Sequence, residues 1–178
     1  LNYSQPKKNN NTIIDLTQLI QDVIILLKNK EDISSKKQIV FEGTTDHLIL
    51  NGDEEQIKQV VWNLCINALE AMSRGTLTLT LKEVFSFQSG EFQANHRGMV
   101  LEVQDEGCGI ALDQISNIYD PFYSSKKNGV GLGLATVYQI VNRNKGVMDV
   151  KSTVGKGTLF TVFLPDQDSV KPVPMPSH

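Results

Sequence analysis

The chain has 178 residues, of which 40% are apolar and 21% charged, and its formal net charge is −3. This balance is typical of one globular domain and excludes a largely disordered chain, and the acidic charge argues against a nucleic acid partner. Two cysteines, Cys65 and Cys108, are too few for a disulfide framework and form no paired metal-binding motif, which predicts a cytoplasmic location. The longest apolar run, residues 23–27, is far shorter than a membrane span, although a longer parent chain could still be membrane-anchored.

The first part of the chain predicts two helices and two short strands. Residues 1–12 are polar and are interpreted as a linker. Apolar residues at helical spacing predict a helix over about 15–29, and a second helix begins after the N-cap Asp53, with Gln56 completing a capping box and Gly75 ending the helix. The two predicted strands lie at 38–42 and 48–50.

The second part of the chain is rich in predicted strands. The polar stretch 86–97 is interpreted as an exposed loop, and residues 166–178, which contain three prolines, as a disordered tail. The predicted elements are strands at 76–84 and 99–103, a short helix at 113–118, a helix at 132–144, and strands at 147–151 and 158–164. This order favours an α+β sandwich with the helices on one face of the sheet.

Two asparagines on the second helix form the first candidate site. Asn63 and Asn67 are four residues apart and therefore share one face of the helix. Such a polar stripe is by itself typical of a solvated helix surface. The functional interpretation is that an amide oxygen binds a hard cation, because Mg²⁺ prefers oxygen ligands and takes the remainder of its shell from phosphates and water.

A carboxylate followed by two alternating glycines forms the second candidate site. Asp105 ends a predicted strand, and Gly107 and Gly109 follow it. A carboxylate in this position can accept from an exocyclic amine, while glycines let a flat ring approach the backbone. In isolation, the same residues are more typical of an ordinary strand-to-loop turn.

A third glycine-rich segment opens the last predicted helix. Gly129, Gly131 and Gly133 precede it, and backbone N–H groups at a helix N-terminus can bind an anion. The spacing differs from the GxGxxG of dinucleotide-binding folds, no strand leads into it, and no Gly-Lys-Ser/Thr follows. The segment therefore predicts neither a Rossmann fold nor a P-loop.

The order of these motifs resembles the histidine kinase branch of the GHKL ATPases. The matching segments are the N box at 63–68, the G1 box at 105–109, the F box at 121–122, the G2 box at 129–133 and the G3 box at 155–158. The resemblance covers the domain predicted over residues 13–165. It implies a two-layer α/β sandwich of the Bergerat type, with a mixed sheet and three main helices on one face.

The resemblance also implies roles for individual residues. Asp105 would hydrogen-bond the adenine amino group with support from Thr158, Asn67 would bind Mg²⁺, and Lys126, in an ATP lid, would meet a phosphate. The implied catalytic set is Asn63, Asn67 and Lys126, and the implied ATP-binding set is Asn63, Asn67, Asp105, Gly107, Gly109, Lys126, Gly129, Gly131, Leu132, Gly133, Leu134 and Thr158. Val130 stands where the family often has Thr and cannot donate a hydroxyl proton to phosphate.

The implied function is transfer of the γ-phosphoryl group of Mg-ATP to a histidine on a dimerisation domain absent from this chain, for relay to a response regulator. His47, His96 and His178 do not match the acceptor motif, whereas residues 3–6 resemble the stretch that follows the dimerisation helices. Asn63 replaces the glutamate that activates water in ATP-hydrolysing members, so direct hydrolysis should be poor.

The resemblance also implies that the longer parent protein is a homodimer, whereas this fragment by itself is expected to be a monomer. Two alternatives stay open: a regulatory or degenerate GHKL nucleotide-binding module, and a serine kinase of the anti-sigma type, because the same boxes serve serine transfer.

Overall fold

The computed structural model describes residues 10–30, 33–43, 46–124 and 133–170. The elements within these ranges are β1 (Asn11–Asp15), α1 (Leu16–Lys28), β2 (Lys37–Gly43), β3 (Ile49–Asp53), α2 (Glu54–Ala71), β4 (Gly75–Val84), β5 (Phe87–Ser89), β6 (Phe92–Ala94), β7 (Gly98–Asp105), α3 (Leu112–Ile115), α4 (Gly133–Arg143), β8 (Val147–Thr153) and β9 (Gly157–Pro165). No helix in the described part of the chain is both long and apolar enough to span a bilayer.

A five-stranded mixed sheet forms the centre of the molecule. Its strand order is β2-β4-β7-β9-β8, with β2 and β4 parallel and the remaining neighbours antiparallel. Alternate residues of the strands face α1, α2 and α4, so that Leu79, Val103, Phe160 and Val150 lie side by side beneath the helices. The predicted α+β sandwich with three main helices on one face is confirmed.

The capping residues place the two longer helices as the sequence predicts. The Asp15 carboxylate accepts from the Gln18 N–H, and the Asp53 carboxylate accepts from the Gln56 N–H. The predicted end of α2 at Gly75 is wrong, because α2 ends at Ala71 and Gly75 is the first residue of β4, where its φ is +117°.

A short two-stranded ribbon replaces part of the predicted linker. β1 pairs antiparallel with β3, so residues 11 and 12 belong to a strand. Within β1, Ile14 is 2% exposed but Ile13 is 76% exposed. Two adjacent isoleucines in so short a strand mask the two-residue period from which a strand is recognised.

A small hairpin replaces the predicted loop at 86–97. β5 and β6 pair antiparallel and cover part of the sheet face that points away from the helices. There the Phe87 ring stacks on Phe163 with 4.9 Å between centroids, and Ala94 and Val100 complete a second, small core. The apolar residues that the hairpin shields from solvent lie on β7 and β9. The hairpin's own sequence is largely polar and therefore does not indicate that it packs on the sheet.

The ordered contacts continue beyond the predicted domain boundary at residue 165. Asp166 is 2% exposed; its carboxylate pairs with Arg97 at 2.5 Å and accepts from the Asn51 N–H at 3.2 Å. The Gln167 N–H donates to the Asn51 carbonyl. The first residues of the predicted tail therefore hold β3 against the main sheet, while residues 171–178 lie outside the described part of the chain.

Candidate functional site

A row of polar residues crosses three neighbouring strands at one end of the sheet. Asp105 on β7 is paired with Thr158 on β9, which is paired with Ser152 on β8. Two residues further along each strand, the same face carries Val103, Phe160 and Val150, which belong to the core. The site therefore begins where the apolar core beneath the helices ends.

The carboxylate of Asp105 is buried and oriented by the main chain. Asp105 is 3% exposed, and its Oδ1 accepts from the Gly107 N–H at 2.8 Å and from the Thr158 N–H at 3.2 Å. Hydrogen bonds from backbone amides stabilise a carboxylate in its ionised form. The predicted adenine-binding residue is thus a fixed acceptor beside Thr158, the residue predicted to support it.

The glycines after Asp105 are required by contacts inside the protein. A Cβ on Gly107 would lie 2.7 Å from the Ala71 carbonyl oxygen, and Gly109, at φ +73°, has no room for a Cβ beside the Thr153 carbonyl oxygen. The Cys108 N–H donates to the Ala71 carbonyl at 3.1 Å. The loop is therefore fastened to the end of α2, which is a packing reason for both glycines in addition to the ring approach expected from sequence.

The two asparagines of α2 lie on one half-buried helix face. The Asn63 side-chain amide donates to the Gly133 carbonyl at 3.4 Å, so this face points towards the start of α4. A Cβ on Gly133 would meet open space, and Leu134 is half-buried against the core. Among the described residues there is no cluster of three His, Cys, Asp or Glu side chains that could hold a metal. A cation at Asn67 would take its remaining ligands from phosphate and water, as Mg²⁺ commonly does.

Comparison with known proteins places this geometry in a family. Residues 52–168 match the model of the histidine kinase-, DNA gyrase B-, and HSP90-like ATPases. The chain belongs to this ATPase family. Its expected relation to histidine kinases is also confirmed, because the relatives it matches are sensor and sporulation kinases.

Two curated relatives show how much of a kinase the ATPase domain represents. The signal transduction histidine-protein kinase AtoS of Escherichia coli is 30% identical over 166 residues, which are 93% of this chain and 26% of AtoS. Sporulation kinase C of Bacillus subtilis is 35% identical over 154 residues, which are 84% of this chain and 33% of that kinase. The chain thus spans about a quarter to a third of these relatives.

Solved structures give the same assignment. The catalytic domain of the histidine kinase ThkA superimposes with a TM-score of 0.72 at 26% identity, covering 90% of this chain and 99% of that domain. Full-length ShkA in complex with AMPPNP superimposes with a TM-score of 0.73 at 22% identity, covering 93% of this chain and 33% of ShkA, and so shares the fold.

The predicted lid of the ATPase domain lies mostly outside the described residues. This applies to Lys126, Gly129, Val130, Gly131 and Leu132. Before the lid, the Tyr119 ring stacks on Tyr138 of α4 with 4.9 Å between centroids. Burial raises the pKa of Tyr119 to about 12, with a further contribution from Asp149. The Tyr119 ring therefore packs the segment that leads into the lid against α4, and its buried hydroxyl has no hydrogen-bond partner among the described residues.

Phe122 of the F box is exposed, and the two described histidines contact other parts of the molecule. Phe122 is 75% exposed and has φ +67°, a backbone conformation that is rare for a residue with a side chain. His47 pairs with Asp15, and His96 packs 6.0 Å from the Phe163 ring centroid on the far face of the sheet. His178 lies outside the described residues.

Ser152 is the residue of this site that the sequence analysis missed. Its hydroxyl contacts the Thr158 hydroxyl at 2.8 Å and accepts from the Ile110 N–H at 2.8 Å. A signal exists in the alternation of β8, because Met148, Val150 and Ser152 share the face that points to the helices. That signal becomes informative only when the pairing of β8 with β9 is known.

Proposed function

We propose that this domain binds Mg-ATP and transfers its γ-phosphoryl group to a histidine on the dimerisation domain of a longer sensor kinase, for relay to the receiver domain of a response regulator. The observation that carries the proposal is the buried Asp105 carboxylate, which two backbone N–H groups hold at the polar end of the sheet. Its sequence relatives, the sensor histidine kinases, support the choice of reaction.

The proposed binding mode divides the nucleotide between two elements. Asp105 accepts a hydrogen bond from the adenine amino group, while the face of α2 that carries Asn63 and Asn67 lies beside the phosphates. The Asn67 amide oxygen is the proposed Mg²⁺ ligand, and the metal, when bound, would supply charge neutralisation for the phosphates. Lys126, in the lid segment, is the proposed positive charge at the γ-phosphate.

The domain's contribution to the reaction is positioning and not nucleophilic attack. Phosphoryl transfer depends chiefly on aligning an acceptor with the γ-phosphate and on stabilising charge. Asn63 stands where the ATP-hydrolysing members of the family are expected to carry a glutamate that activates water. Its side chain is an amide, and an amide cannot act as a general base. An ATP bound here would therefore be held for an acceptor supplied by another domain, and we infer a homodimeric parent that is cytoplasmic or membrane-anchored.

The proposal is tested with radiolabelled ATP in three reactions. The chain alone should bind nucleotide but acquire no acid-labile phosphate and release inorganic phosphate slowly. Adding the separately expressed dimerisation domain of the parent kinase should produce acid-labile label on that domain. The same domain with its acceptor histidine changed to alanine is the matched control and should remain unlabelled.

Each contrary outcome indicates a different function for this domain. Acid-stable label on serine would indicate a serine kinase. Nucleotide binding without transfer to the intact dimerisation domain would indicate a regulatory module. Rapid phosphate release by the chain alone would indicate an ATPase of the same family.

A further inference from the structure

The hydroxyl of Ser152 joins the two loops that flank Asp105. Its Oγ accepts from the Ile110 N–H at 2.8 Å, donates to the Gly157 carbonyl at 3.0 Å and contacts the Thr158 hydroxyl at 2.8 Å. Ile110 follows the loop after Asp105, and Gly157 and Thr158 open β9. One side chain therefore connects both boundaries of the proposed base site.

The number of available protons determines which group donates and which accepts in each hydrogen bond around Ser152. A serine hydroxyl carries one proton and two lone pairs. The Gly157 carbonyl can only accept, so the Ser152 hydroxyl donates its one proton to it. The Ile110 N–H donates to one of the two lone pairs of the Ser152 oxygen. The remaining lone pair must accept from Thr158, so the Thr158 hydroxyl proton points towards Ser152.

This orientation determines what Thr158 can offer to a ligand. With its proton directed at Ser152, the Thr158 hydroxyl presents lone pairs on its other sides. The neighbouring Asp105 carboxylate, which accepts from the Thr158 N–H, is also an acceptor. Both side chains therefore favour a ligand group that donates, and both disfavour a carbonyl oxygen in the same place.

We propose that Ser152 is a positioning residue that fixes Thr158 as an acceptor and thereby helps the site select a purine with an amino group at C6 over one with a carbonyl. The proposal rests on the proposed function, because it assumes that the base lies at Asp105. Ser152 acts through Thr158 and does not itself touch the base in this arrangement.

The test compares two nucleotides on several variants by titration calorimetry. ATP and inosine triphosphate differ at C6, where an amino group is replaced by a carbonyl oxygen. In Ser152→Ala, the Thr158 hydroxyl is released to rotate and can donate to that carbonyl. The Kd for inosine triphosphate divided by the Kd for ATP should therefore be lower in Ser152→Ala than in the unmodified chain, by about threefold or more.

Further variants separate selectivity from simple loss of structure. Ser169→Ala removes an exposed hydroxyl far along the chain and should leave the ratio unchanged. Ser152→Thr keeps the hydroxyl and should retain the ratio of the unmodified chain. Ser152→Cys, whose thiol is a weak hydrogen-bond donor and acceptor, should lower the ratio as Ser152→Ala does, and its result decides the question if Ser152→Ala does not fold. In a Thr158→Val background, Ser152→Ala should no longer alter the ratio, because the two residues act as one unit.

The outcomes distinguish this inference from the proposed function. Equal weakening of both nucleotides in Ser152→Ala, or no change in either, overturns the selectivity role of Ser152 even if ATP binds well. Failure of the unmodified chain to bind ATP overturns the proposed function itself.

Discussion

At the scale of single residues, the proposed recognition of the base depends on a carboxylate that the main chain has already oriented. Asp105 Oδ1 accepts from two backbone N–H groups, so its position does not depend on a flexible partner side chain. The asparagines of α2 are held differently, since Asn63 donates to the first residue of α4. In the proposed binding mode, the base would therefore meet a carboxylate held by the main chain, and the phosphates would meet asparagines on a helix that contacts α4.

Asp105→Asn should weaken ATP binding about tenfold or more while leaving the fold intact, because a lost hydrogen bond to a charged group costs about 1.5–3 kcal/mol. An asparagine oxygen can still accept from the Gly107 and Thr158 N–H groups, which preserves the loop. Calorimetric titration gives the affinity, and thermal unfolding followed by circular dichroism checks the fold. Asp113→Asn, at an exposed position, is the control. Unchanged affinity in a folded Asp105→Asn variant contradicts the adenine assignment.

Asn67→Ala should reduce the dependence of nucleotide affinity on Mg²⁺. If the Asn67 amide oxygen is a metal ligand, binding of a non-hydrolysable ATP analogue should tighten with Mg²⁺ in the unmodified chain and tighten much less in the variant. Titrations with Mg²⁺ and with EDTA measure both affinities. Asn117→Ala changes an exposed asparagine and should retain the full metal effect. A variant at residue 67 with the same metal dependence would show that the ligand lies elsewhere.

At the scale of elements, the two faces of the sheet have separate tasks. The face under α1, α2 and α4 carries the main core and ends in the polar row of Asp105, Thr158 and Ser152. The other face carries the small core of Ala94, Val100 and Phe163 beneath the β5–β6 hairpin. Stability and nucleotide binding should therefore respond differently to changes on the two faces.

Phe87→Ala should destabilise the hairpin without affecting ATP affinity. Phe87 stacks on Phe163 and is only half-buried, so we expect a loss of about 1–2 kcal/mol, less than the cost of removing a fully buried phenylalanine. Urea unfolding measures the loss, and hydrogen exchange should localise it to residues 87–94. Phe85→Ala is the matched control, since Phe85 is 69% exposed and should contribute little. A parallel loss of ATP affinity would show that the two faces are coupled.

At the scale of the whole molecule, a network around Asp166 joins segments that are distant in sequence. Asp166 pairs with Arg97 before β7 and accepts from Asn51 on β3, while Arg97 also pairs with Glu83 at the end of β4. The β1–β3 ribbon is thereby fastened to the main sheet by residues beyond β9. The chain after the last strand is thus part of the folded domain.

Asp166→Ala should lower the free energy of unfolding by about 2–3 kcal/mol at neutral pH, which is somewhat below the 3–5 kcal/mol for breaking a fully buried ion pair because Arg97 is partly exposed. The change in the urea midpoint measures this loss. Asp168→Ala, two residues further on at an exposed position, should be close to neutral. If the two variants are equally stable, the buried pair with Arg97 contributes nothing measurable.

The sequence by itself determined the features that depend on local pattern. Helical periodicity and the caps Asp15 and Asp53 fix α1 and α2, and strand alternation identifies β4 and β7, because these signals arise from neighbours within a few residues. The ordered motifs around Asn63, Asp105 and Thr158 likewise predict the proposed nucleotide site. The fold class and the family followed from them.

Only the tertiary structure decided which distant residues meet. The β1–β3 ribbon, the β5–β6 hairpin and the burial of Asp166 each depend on a partner between 34 and 115 positions away, and no local period records such a pairing. Ser152 is the clearest case, because its place in the alternation of β8 indicates a role only once the pairing of β8 with β9 is known. Its importance comes from the antiparallel register that sets it beside Thr158, which in turn lies beside Asp105, 47 positions earlier than Ser152 in the chain. Strand register is set by the packing of the whole sheet, and so a chemical network that crosses strands becomes visible only after folding.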